Sequence, residues 1–132
     1  MLDALLGRYK DLQVIQKCLV DCLNVKSNLV TGGTQSPTHD ADSKELADLL
    51  SKLLDKRKAL DASLVSDMPF FPELEEPFRL CVYNIGEVLR HINRLSFYKL
   101  PEMEDYDKGL ELIDALTESI DVISKALSDR MK

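Results

Sequence analysis

In "ELADLLSKLLDKRKALDASL", Glu45 to Leu64, the positions Leu46, Leu50, Leu53, Arg57, Leu60 and Leu64 recur at intervals of four, three, four, three and four. Side chains on a strand alternate faces with period two, whereas this spacing places all six on one face of a helix. The pattern is also that of helices packing lengthwise along a shared seam, so it constrains the fold as well as the element. Leu49 and Leu54 flank the stripe.

The same period runs through the rest of the chain. A first helix carries Leu5, Leu12, Ile15, Leu19 and Leu23, widened by Val14, Cys18, Val25 and Leu29, so that more than half its circumference is apolar. Such a helix packs against two neighbours or leaves a side for another chain, including a second copy in a homodimer. A third carries Phe78, Cys81, Val82, Ile85, Leu89 and Ile92, and a fourth Tyr106, Ile113, Leu116, Ile120, Ile123 and Leu127. The expected helices span 2–30, 43–66, 73–99 and 102–130. "TGGTQSPTHDAD" makes 31–42 a mobile loop, and Asp42 with Glu45 is spaced like a capping box. Acidic Glu102, Glu104 and Asp105 open the last helix and basic Lys125, Arg130 and Lys132 close it, as the helix dipole favours. The prediction is an all-α antiparallel four-helix bundle, two helical hairpins in one domain, 1–132.

With 23 carboxylates against 17 lysines and arginines, the surface repels phosphate backbones, which argues against nucleic acid as a partner. Asp3, Arg8, Lys10 and Asp11 interrupt the apolar start, so no signal peptide or membrane span is expected and a cytoplasmic location is. Cys18, Cys22 and Cys81 lack the paired spacing of a zinc or redox motif and read as core residues. A metal site with His39 or His91 would lack clustered ligands, and no cofactor is expected.

Enzyme chemistry finds little purchase. A di-iron bundle needs Glu-x-x-His pairs, and Glu87 and His91 stand four apart. No glycine-framed serine or catalytic cysteine signature occurs, and Gly32-Gly33 is not followed by a Lys-Ser/Thr pair. His91, at the edge of a polar face with Arg90 and Arg94, resembles the reactive histidine of phosphotransfer bundles. Asn93, Arg94 and Leu95 retain only the basic residue of their usual local pattern.

Two features point to binding. Arg57 interrupts a leucine seam and must snorkel or find a counter-charge, either as an internal ion pair that sets helix register or as an anchor for a partner. "DMPFFPELEEPFRL", Asp67 to Leu80, stiffens the connection between hairpins with Pro69, Pro72 and Pro77, and Pro72 or Pro77 suits a first helical turn. It thereby aims Phe70 and Phe71, inward as a plug or outward as a preorganised hot spot; Phe78 continues the inward stripe.

"LLSKLLDKRKALDASL", Leu49 to Leu64, with its arginine and a leucine three later, and "IGEVLRHINRL", Ile85 to Leu95, with Asn93, resemble the small helical export chaperones of bacterial flagella, the FliT and FlgN type. The resemblance implies a cytosolic protein that holds an amphipathic helix of an export substrate between its helices, with the last helix able to cover that groove. It directs attention to helices 2 and 3, with Arg57 at the rim. The expected function is a non-enzymatic protein-binding module, a chaperone or adaptor, with Leu50, Leu53, Arg57, Leu60, Phe70, Phe71, Leu89 and Asn93 as partner-binding residues. Two rivals stay open: a histidine phosphotransfer module acting through His91, and a structural subunit of a larger helical assembly.

Overall fold

A computed structural model describes residues 2–32, 37, 39–95 and 103–131. Helices α1 (Leu2–Gly32), α2 (His39–Ser66), α3 (Pro72–Arg94) and α4 (Met103–Arg130) form the bundle, with a 3-10 turn at Met68–Phe70 between α2 and α3. α1 packs most extensively against α2, and α3 against α4, giving two hairpins. α1 also lies along α4 and touches α3, whereas α2 and α3 meet only slightly. The wide apolar face of α1 thus serves three neighbours. No helix among the described residues is long and apolar enough to cross a membrane.

The core follows the seams. Leu5, Leu12, Ile15, Leu19 and Leu23 are fully buried on α1, and Ile113, Leu116, Ile120, Ile123 and Leu127 are buried on α4. On α3 the buried line is Leu74, Phe78, Cys81, Ile85, Val88, Ile92 and then Leu95, a four-three repeat straighter than the expected stripe. Val82 and Leu89 accordingly sit on its flanks, half-buried. α2 contributes Leu53, Leu60 and Leu64, while Leu46, Leu49 and Leu50 are only partly covered.

Gly109 continues the α4 seam toward its start and is buried between helices. A Cβ there would lie 2.8 and 2.9 Å from the Leu23 Cδ atoms and 3.3 Å from His91 Cδ2. The missing side chain is what allows α4 to approach α1 and α3 this closely.

Several boundaries differ from expectation. α2 begins at His39, three residues before the supposed cap, with Asp40 and Asp42 in its first turn, so Asp42 and Glu45 are interior residues. α1 likewise continues to Gly32, so the predicted loop is shorter at both ends, and 33–36 and 38 lie outside the described residues. α3 stops at Arg94, with Leu95 extended; the remainder of the predicted third helix, 96–99, lies outside the described residues, as does 102. Pro72 occupies the start of α3, but Pro77 lies inside it, where its missing N–H leaves the Glu73 carbonyl without an i+4 donor.

Candidate functional site

The junction between hairpins is a continuous run of main-chain hydrogen bonds. Asp67 N–H donates to Ser63 O at 2.9 Å, Phe70 N–H to Asp67 O at 3.3 Å, Phe71 N–H to Met68 O at 2.9 Å and Leu74 N–H to Phe71 O at 2.9 Å. Met68 is fully buried and anchors the turn in the core. With φ locked at Pro69 and Pro72, little freedom is left to the two phenylalanines between them.

Their fates divide. Phe71 packs partly against the core, with the Arg130 guanidinium 4.6 Å from its ring centroid, and Arg130 also pairs with Glu73. The end of α4 therefore clamps the start of α3. Phe70 points away and is 64% exposed. An apolar ring held outward by a rigid turn has already met the ordering cost that a mobile side chain would meet on binding.

Two residues beyond Phe70, Pro72 begins a cleft of about 340 Å³ between α3 and α4, lined also by Glu73, Glu76, Pro77, Leu80, Ser119 and Val122. Leu80 and Val122, on opposite walls, are 50% and 52% exposed, and Tyr83, one turn beyond Leu80, is 61% exposed. A polar bridge ties α3 to α4 at the Ser119 wall of the cleft: Asn84 Nδ2 donates to Ser119 Oγ at 2.7 Å, and Ser119 Oγ donates to Ala115 O at 2.9 Å. The lining charges are carboxylates, of which Glu73 is engaged by Arg130. Leu80, Tyr83 and Val122 escaped the sequence reading because they lie off the seams. For Leu80 and Tyr83 a signal was available in principle: apolar residues three apart on the supposedly polar flank of α3.

Leu53 and Leu60 are in the core and closed to a partner while α2 stays in place. Leu50 and Leu89 are half-buried against it, and Asn93 is exposed at the far end of α3. Phe70 and Asn93 are thus about six and a half helical turns of chain apart and do not form one site. α2 and α3, expected to form a groove between them, meet only slightly, and clefts lie on the α3–α4 and α1–α2 sides.

Arg57 is half-exposed and has no ion-pair partner among the described residues. The internal ion pair is made next door. Lys56 Nζ lies 3.1 Å from Asp11 Oδ1, and Arg8 Nε lies 3.1 Å from Asp11 Oδ2 without the alignment of a hydrogen bond. Asp11 is buried, so two cations compensate a carboxylate removed from water and tie α1 to α2 at one level. The register role fits Lys56, and Arg57 stays half-exposed.

His91 is partly buried, and its Nε2 lies 2.6 Å from the Asp105 carbonyl of α4. A carbonyl oxygen only accepts, so Nε2 carries the proton and fastens α3 to α4. A phosphoryl group on that nitrogen would have to displace this bond.

The three cysteines are free and buried. Burial pushes the Cys22 thiol up to about 11, with Cys18 and Asp21 adding to it, and pushes Cys81 up to about 12. Both are protonated at neutral pH and therefore weak nucleophiles. Among the described residues no three His, Cys, Asp or Glu side chains converge in a way that could hold a metal ion. The chain matches no protein-family model, no curated protein and no solved structure.

Proposed function

We propose that the chain is a non-enzymatic helical protein-binding module, an adaptor or chaperone that takes an amphipathic helix of another protein. The observation that carries this reading is the set of exposed apolar side chains on this side of the chain: Phe70 held outward just before the α3–α4 cleft, Leu80 and Val122 on its walls, and Tyr83 one turn beyond Leu80. A partner helix laid on this surface would present apolar residues at intervals of three and four, with Phe70 packing over its end. Docking on the outer face leaves every core seam intact, so recognition requires no helix to leave the bundle. The finer reading, a cytoplasmic export chaperone of the flagellar kind, rests on the resemblance of Leu49 to Leu64 and Ile85 to Leu95.

The test is affinity capture from native lysate with wild type, Phe70→Ser and Leu80→Ser, after circular dichroism has established that all three are folded. Leu54→Ser, an exposed leucine on α2 away from this face, serves as the control. Truncating a hot-spot residue costs roughly 2 kcal/mol or more, so a specific partner should be depleted about thirtyfold by the first two substitutions and retained by the third. Identical partners at identical yield from all four proteins would remove the Phe70 face from the function. A captured secreted or flagellar subunit would support the chaperone reading, and a cytosolic signalling protein would favour an adaptor.

A further inference from the structure

A second groove, of opposite charge, runs along the other hairpin. It has a volume of about 490 Å³ and lies between α1 and α2, lined by Lys10, Gln13, Val14, Lys17, Cys18, Asp21, Leu49 and Lys52. In a chain of net charge −6 this is a local inversion, with three lysines against one carboxylate. None of the three has an ion-pair partner among the described residues, although α1 and α2 carry many acids. The floor is apolar: Val14 and Leu49 are half-buried, and Cys18 beneath them is buried.

We infer that this groove is a second docking site, and that its occupant is an amphipathic helix of a partner protein whose apolar ridge is bordered by Asp and Glu. Lys10, Val14, Lys17 and Asp21 follow one another at intervals of four, three and four, a straight line that rises about 16 Å, or three turns, along α1. A docked helix presents the complementary ladder, its apolar residues meeting Val14 and Leu49 and its carboxylates meeting the lysines. Asp21 at one end suits a cation or a helix N-terminus, which gives the occupant a direction. A nucleic acid fits poorly, since it offers no apolar ridge to the floor and the acidic remainder of the chain repels it. The α3–α4 cleft, whose lining charges are Glu76 and the Arg130-paired Glu73, offers the same helix no lysine ladder. The module therefore has two faces that discriminate between partners by charge.

Fluorescence anisotropy on the full chain tests this with four probes: a leucine-ridged acidic helical peptide, its basic counterpart with the same ridge, polyglutamate, and single-stranded RNA. The acidic helix should bind, the basic helix should bind at least roughly tenfold more weakly, and Lys10→Glu/Lys17→Glu/Lys52→Glu should weaken the acidic helix at least tenfold while the circular dichroism spectrum is kept. Phe70→Ser should leave this binding unchanged, which separates the second site from the first. The inference is overturned if the acidic helix fails to bind, if the triple variant binds it equally, or if polyglutamate or RNA binds as tightly. It is equally overturned, in favour of a second copy as occupant, if the chain dimerises in sedimentation and the triple variant alone is monomeric.

Discussion

α4 and α2 are of equal length and both amphipathic, yet they are held in unlike ways. Buried residues punctuate α4 from Gly109 to Leu127, and polar bonds fasten it to both neighbours along that length. Tyr106 Oη donates to Asn24 Oδ1 at 2.7 Å, Gln16 bonds Thr117, Asn84 bonds Ser119, His91 holds the Asp105 carbonyl, and Arg130 clamps Glu73 and Phe71. α2 has no buried residue from His39 to Lys52, and Lys56 pairs with Asp11 of α1 only beyond that stretch. A helix segment with no fully buried side chain opens locally more readily than one with buried side chains and directional bonds at several levels. The last helix is therefore poorly suited to the role of a removable cover, and the first half of α2 is the bundle's loose element. The lysine groove borders that half, at Leu49 and Lys52, so an occupant would brace the helix that most needs it.

Hydrogen exchange puts the greatest strain on this contrast. Amides from Ile113 to Ile123 should exchange only through global unfolding, and those from Leu46 to Lys52 at least about a hundredfold faster. Equal protection in the two segments would abolish the distinction. Core deletions sharpen it: Leu116→Ala should cost about 2–5 kcal/mol in urea unfolding, and Leu50→Ala on the half-buried side of α2 about 1 kcal/mol or less. Comparable losses would mean that α2 is seated as firmly as α4. The polar tie of α2 gives a smaller effect. Asp11→Ala leaves Arg8 and Lys56 facing solvent with no shared carboxylate, and should lower stability by about 1–3 kcal/mol. It should also speed exchange in α2 more than in α4, whereas a uniform change along the chain would show that the ion pair steadies the whole bundle.

Much of this molecule was legible from spacing. The α1 and α4 stripes are buried almost residue for residue, because a helix with a sustained four-three repeat has only one face to hide. The same rule misjudged α2. Leu46 and Leu50 continue the repeat of Leu53 and Leu60, but periodicity identifies the residues that share a face and says nothing of how far a neighbour extends along it. The internal ion pair offered for Arg57 was misplaced for a related reason: the buried carboxylate, Asp11, is paired by the neighbouring Lys56. Leu80 and Tyr83, three apart on the flank of α3, and Val122, on α4, were passed over because they lie off the seams, and only packing brings Leu80 and Val122 to the two walls of one cleft.

The hinge divides the two kinds of information most plainly. Its prolines announce stiffness, since a fixed φ is a property of the residue and needs no neighbour. Which phenylalanine turns inward is decided by Met68 locked in the core and Arg130 arriving from the opposite end of α4, partners far away in the chain. The number of helices, their faces and their order were determined locally, by bond geometry and by which side chains avoid water. The charge of each groove, the loose half of α2 and the exposure of Phe70 were settled by tertiary packing, because each depends on distances between segments that the linear order does not contain.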